Sequence, residues 1–163
     1  MSLNIVLVEP EIPQNTGNIA RTCAALGAKL HLIKPLGFDI SEKAVKRAGL
    51  DYWNKLDIIV YENLEEFKEK TKGKNTYLFS TKSKHIYSDI EYKDDDYLVF
   101  GPETRGLNED YILQNFDNTV RMPMGYNIRS LNLSNTVAIA AYEAMKQLDF
   151  LNLEQISTYF DGK

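Results

Sequence analysis

Along this chain, short apolar runs alternate with segments whose apolar residues recur at helical spacing. Leu3-Asn4-Ile5-Val6-Leu7-Val8 is such a run, ended by Glu9-Pro10, and it reads as a buried strand. Asn15 is then the expected helix N-cap, with Ile19, Cys23 and Leu26 on one helical face and Gly27 closing the helix. Leu30 to Ile33 reads as a second strand, closed by Pro35 and Gly37. Ser41 is placed to cap a short basic helix that ends at Gly49. Asp57 to Tyr61 is strand-like, and Asn63 with Glu66 forms a capping-box pattern for a helix stopping at Gly73. Thr76 to Ser80 and Tyr97 to Phe100 are two further strands, and Asn108 caps a helix running toward Phe116. Thr119 to Met122 is a last strand, stopped by Pro123. The final helix is expected from about Asn135 to Leu148, with Val137, Ala138, Ala141 and Met145 on its buried side.

Strands alternating with helices across short loops predict an α/β fold: a mostly parallel sheet with helices on both faces. At 163 residues the chain is expected to be one domain, 1–163, with 149–163 as a modest tail. No apolar run is long enough to span a bilayer, and no basic leader precedes the first strand, so the expected location is the cytoplasm. The single cysteine, Cys23, excludes an internal disulfide framework and reads as core. His31 and His85 lie far apart, and no ligand spacing suggests a metal site. His31 alternates with Leu30 and Leu32 in a strand, which marks it as structural.

The net charge of −4 argues against a strongly basic nucleic-acid-binding protein. Local basic clusters survive this test: Lys43, Lys46 and Arg47; Lys82 and Lys84; and Arg121 and Arg129, which bracket a polar loop.

Three loops at strand ends carry more polar chemistry than a connection needs. Glu9 to Arg21 holds a helix N-terminus, whose free N–H groups favour anions. Its plain alternative is that Asn15 only caps and Arg21 only faces solvent. Gly101 to Leu107 carries Glu103 and Arg105 between two glycines, just past a buried strand, where ligands of open α/β sheets sit. It is neither phosphate-cradling glycine pattern, and its plain alternative is a turn with a solvent-exposed ion pair. Met122 to Asn135 mixes amides, hydroxyls and Arg129 with Ile128, Leu131 and Leu133, which suits an apolar slot with a few fixed polar groups. The plain alternative makes Ser134 or Asn135 an N-cap.

Together the loops resemble the SPOUT class of RNA methyltransferases. The resemblance is carried by Asn15-x-Gly17-x-x-x-Arg21, by Phe100-Gly101-Pro102-Glu103-x-Arg105-Gly106-Leu107, and by Arg129-Ser130-Leu131-Asn132-Leu133-Ser134-Asn135. It spans Asn4 to about Gln147. The stretch from Glu9 to Ile19, the run from Arg47 to Tyr52 and Leu133-Ser134-Asn135 are similar in particular to the compact tRNA wobble-nucleotide 2′-O-ribose methyltransferases. The resemblance implies S-adenosyl-L-methionine as methyl donor, tRNA (its leucine isoacceptors) as substrate, a homodimer, and a C-terminal trefoil knot, which breaks the usual rule against threaded chains.

Carried over by position, the resemblance assigns cofactor binding to Phe79, Ser80, Thr81, Gly101, Glu103, Met122, Ser130 and Leu131. Arg21 is the residue it marks for catalysis, with Asn15, Glu103, Ser130 and Asn132 orienting substrate and cofactor. A guanidinium stays charged, so Arg21 is expected to bind phosphate or stabilise the oxyanion. Arg47, Arg129 and Tyr142 are assigned to RNA binding or the dimer contact; for Tyr142 the alternative is a buried helix tyrosine. Rival readings are the same chemistry at another tRNA or ribosomal RNA position, a non-catalytic RNA-binding protein of this fold, and a generic nucleotide-binding α/β enzyme.

Overall fold

A computed structural model describes residues 2–41 and 53–162. The expected helix between Ser41 and Gly49, and the Arg47–Tyr52 run, lie outside the described residues.

Six strands form one all-parallel sheet: β1 (Asn4–Val8), β2 (Lys29–Ile33), β3 (Ile58–Tyr61), β4 (Thr76–Phe79), β5 (Tyr97–Phe100) and β6 (Thr119–Val120). Their spatial order is β3-β2-β1-β5-β4-β6. Four α-helices are present among the described residues: α1 (Pro13–Leu26), α2 (Leu64–Lys70), α3 (Glu109–Gln114) and α4 (Leu133–Gln147).

The two-residue period of a strand explains how the sheet acquires two cores. Ile5 and Leu7 of β1, Leu30 and Leu32 of β2, and Leu98 and Phe100 of β5 pack under α1 and α4, against Ile19, Cys23, Val137 and Ala141. The residues between them, Val6, Val8, Ile33 and Val99, face the other way, onto Phe67 of α2 and Tyr111 and Ile112 of α3. Helices therefore cover both faces, which is why these strands read as continuous apolar runs. Cys23 is fully buried at this packing, and burial pushes its thiol up to about 12, so it is an inert core residue.

The helix ends follow local sequence rules at several points. Gly27 ends α1 at a left-handed φ of 64°. The Asn63 side chain accepts the Glu66 N–H at 2.9 Å, and Asn108 likewise caps α3. The stretch after α4 forms turns with no further helix; Leu148, Phe150 and Leu153 fold back on the core while Ile156 stays exposed.

His31 sits in a polar pocket away from the loops just described. Its Nδ1 lies 2.9 Å from the Tyr61 hydroxyl and its Nε2 lies 3.0 Å from Asn4 Oδ1. Burial, reinforced by nearby Lys29 and opposed by Asp57 and Asp95, lowers its pKa from 6.5 to about 4. The folded chain thus binds this proton less readily than the unfolded one, so the stabilisation is complete above pH 6.5 and is lost as pH falls toward 4. Up to about 3 kcal/mol of acid destabilisation is expected from this group. Denaturant unfolding at pH 7 and pH 4.5 should show a smaller pH difference in His31→Gln than in the wild type.

Candidate active site

The crossover direction changes between β1 and β5, and in open α/β sheets such a switch opens a crevice at the carboxyl ends of the strands. Here β1, β5, β4 and β6 are successive neighbours, so the loops that leave them converge on one place. Phe79 and Phe100 end β4 and β5 opposite one another and stack at 4.4 Å, giving the crevice an apolar floor.

The loop after β5 is fastened to the loop after β1. Both carboxylate oxygens of Glu103 accept backbone donors, from Glu11 N–H at 2.8 Å and Ile12 N–H at 3.1 Å. Thr104 donates to the Glu11 carboxylate at 2.9 Å, and Arg105 pairs with Glu9 and, at 3.6 Å, with Glu11. An exposed ion pair does exist, as the plain alternative had it, but it reaches out of this loop to Glu9 and Glu11 and latches one loop to another.

Gly101 has a further reason, which lies in its own loop. A Cβ there would collide with the backbone of Gly106 and Leu107, where the loop doubles back. The glycine serves the loop's closure on itself, with the Gly106 N–H donating to Pro102 O at 2.9 Å and Gly106 at a left-handed φ of 70°.

Asn15 is not the N-cap of α1. The helix begins at Pro13 behind Ile12, whose side chain cannot cap, and Asn15 lies buried inside the first turn. From there its side-chain amide donates to Glu103 at 3.4 Å, while its carbonyl oxygen accepts from Asn132 Nδ2 at 3.1 Å. Asn132, in turn, is the cap of α4: its Oδ1 accepts the N–H groups of Ser134 and Asn135 at 2.9 and 3.3 Å. The final helix thus starts two residues earlier than expected, and neither Ser134 nor Asn135 caps it. Glu103, Asn15 and Asn132 form one continuous chain of hydrogen bonds through all three loops.

A cavity of about 470 Å³ lies over this chain. Every residue expected to hold a cofactor lines it: Phe79, Ser80, Thr81, Gly101, Glu103, Met122, Ser130 and Leu131. Asn15, Asn132 and Arg129 line it as well. Lys82 and Thr136, which the sequence did not mark for the cofactor, line it too. Lys82 belonged to a noted basic cluster, but its partner Glu109, 2.6 Å away on α3, could only be found in three dimensions. That contact holds the Glu109 carboxyl below its usual range.

Arg21 lies outside this cavity. It is exposed in an adjoining groove of about 320 Å³ between α1 and α4, with Asn18, Ser134, Asn135, Ala138 and Tyr142. Tyr142 is half exposed, so the buried alternative does not hold. The Asn15–Asn132 hydrogen bond joins the start of α1 to the start of α4. Arg47 falls outside the described residues. Among the described residues no group of three or more His, Cys, Asp or Glu side chains could hold a metal ion, and no helix is long and apolar enough to cross a membrane.

The model of the SpoU rRNA Methylase family matches residues 2–142. A relative from Methylovorus glucosotrophus, named tRNA (cytidine(34)-2′-O)-methyltransferase, is 49% identical over 149 residues, covering 90% of this chain and 96% of its own. A solved structure described by the 2-OH methylation of C/U34 on tRNA is 47% identical, with a TM-score of 0.84 over 91% of this chain and 97% of that one. An AdoMet-bound rRNA methyltransferase from Sinorhizobium meliloti is 26% identical, with a TM-score of 0.78 over 90% of this chain and 57% of that one.

The different positions of Glu103 and Arg21 predict different costs. Glu103→Ala strands two backbone N–H groups and the Asn15 amide, which should destabilise the fold by about 1–3 kcal/mol. Arg21→Ala, on an exposed surface, should stay within about 0.5 kcal/mol of the wild type. Equilibrium unfolding in urea measures both.

Proposed function

The chain belongs to the SpoU rRNA methylase family, and from that premise we propose that it methylates the ribose 2′-hydroxyl of the wobble nucleotide of tRNA. The nucleotide is cytidine or uridine 34, and the substrates are leucine isoacceptors. The methyl donor is S-adenosyl-L-methionine. One observation carries the reading: the three motif loops meet around a single cavity, lined by all eight residues expected to hold the cofactor. The names of relatives near half identity over nearly the whole chain agree with it.

The cavity suits the cofactor. Its volume is in the range of small-molecule sites. Phe79, Phe100, Met122 and Leu131 offer apolar surface for an adenosine, while Ser80, Thr81 and Ser130 offer hydroxyl and backbone partners. When bound, S-adenosylmethionine supplies a methyl group on a sulfonium sulfur. The protein's part is to hold the acceptor hydroxyl in line with that methyl and to favour its oxyanion character.

Arg21 is the residue for that second task. Among the described residues it makes no ion pair, so its charge is available to a phosphate or to the developing oxyanion. Asn15 and Asn132 fix the wall beside it, and Glu103 fixes Asn15. Glu103 acts as a positioning residue, since both its oxygens are engaged by protein donors.

RNA binding falls to Arg129 on the cavity rim, to Tyr142 in the groove and to the basic cluster with Arg47. The protein acts as a homodimer in the cytoplasm, with exposed Ile139 of α4 at the contact between copies. The C-terminal segment forms a trefoil knot. In support, β6 lies at the sheet edge, yet α4 returns across the sheet to pack on α1 and β5.

Purified protein with labelled S-adenosylmethionine should methylate an unmodified leucine tRNA, and mapping should find the label at ribose 34. Arg21→Ala should abolish turnover while cofactor affinity stays near wild type; full activity would refute its role. Binding of tRNA should weaken steeply with added salt, as a phosphate-tracking groove requires.

A further inference from the structure

The loop from Arg121 to Asn132, between β6 and α4, divides into a wall and a tip. Met122, Met124 and Arg129–Asn132 line the cavity. The tip, 125–128, stands clear of it, and Tyr126 there is 100% exposed. Tyr126 is the most exposed large apolar or aromatic side chain among the described residues, and burying such a ring would be worth more than burying most others. The tip is shaped to leave it so. Asn127 takes a left-handed φ of 71°, and the Ile128 N–H donates to Gly125 O at 3.3 Å, closing a tight turn at the tip.

In the same short loop Ile128 and Leu131 are 58% and 41% exposed, and Arg129 makes no ion pair among the described residues. An exposed ring, an apolar shelf and an available guanidinium within one short loop are what proteins use to hold unstacked bases. The geometry of the reaction supplies the demand. A ribose can enter the cavity only if its nucleotide leaves the stack of its neighbours, which costs a few kcal/mol. A ring on a loop whose flanks line the cavity can recover part of that cost by taking a displaced base onto its face.

We propose that Tyr126 is a stacking platform for a nucleobase of the RNA substrate, at or next to the nucleotide whose ribose enters the cavity. The proposal rests on the methyl-transfer reading above and adds a substrate contact that none of the three motifs contains. Stacking on one ring tolerates any base, so the platform contributes affinity and register more than choice of sequence.

Steady-state methylation of an unmodified tRNA transcript tests it. Tyr126→Ala should raise KM for tRNA about tenfold, the loss expected for one base–aromatic stack, with kcat and cofactor affinity near wild type. Tyr126→Phe, which keeps the ring, should behave as wild type. In Tyr126→Trp, added tRNA should quench the new indole's fluorescence beyond any change at Trp53 seen in the wild type. An unchanged KM in Tyr126→Ala overturns the platform. So does a shift of that variant from dimer to monomer in sedimentation, which would assign the ring to contact between copies. Failure of the wild type to methylate any tRNA would instead sink the reading on which the platform rests, so the two failures are distinguishable.

Discussion

The site depends on one run of hydrogen bonds, from Asn132 to Asn15 to Glu103 and on to the backbone of Glu11 and Ile12. Each link is modest alone: the neutral Asn15–Asn132 bond adds about 1 kcal/mol net, and each bond to the Glu103 carboxylate about 1.5–3 kcal/mol. Their arrangement matters more than their sum. Each residue has a second duty: Asn132 caps α4, Asn15 sits in the first turn of α1, and Glu103 satisfies the N–H groups that precede it. No member can be removed without exposing a helix end or a buried amide. That coupling keeps three loops, each free to wander on its own, in a single geometry.

The sheet makes the run possible. Parallel pairing brings four carboxyl ends to one edge, and the switch between β1 and β5 keeps the loops from crowding one another. Close backbone approach then tightens the result. Gly101 lets the loop after β5 double back, and Gly37 lets the loop after β2 lie against the backbone of Glu11, with its N–H donating to Pro10 O at 2.9 Å. Chemistry and scaffold are separated in space: the pocket collects apolar floor, hydroxyls and amides, while the charge proposed for catalysis, Arg21, stands in the neighbouring groove.

Much of the fold is legible in the sequence because burial on both faces leaves a plain signature. All six strands lie where apolar runs lie, and Gly27, Asn63 and Asn108 end or begin helices as local rules require. The eight residues that the motif resemblance assigns to the cofactor all line the cavity. What was hidden was the purpose of individual residues. Asn15 and Asn132 are both amides near helix starts, and local spacing cannot tell a cap from a residue one turn inside. Asn15 gave up the capping role for partners that lie far along the chain. Gly101 suggests close approach to a ligand, while the close approach of its own loop leaves no trace in sequence. The separation of Arg21 from the cavity is invisible too, because the three motifs line up in sequence whether or not they share one wall.

The span of these contacts has a consequence for how the protein comes into being. Asn15 meets Glu103 across 88 positions and meets Asn132 across 117. A chain still emerging from the ribosome holds the first loop long before it holds the residue that braces it. Asn132 follows the last strand along the chain, so the link to it cannot form until every strand has been made. The pocket is therefore the last feature to mature, completed by the same docking of α4 that covers the core. An incompletely assembled molecule would have a sheet but no brace, so it would display little capacity to capture a ligand. Competence and completion of folding become a single event.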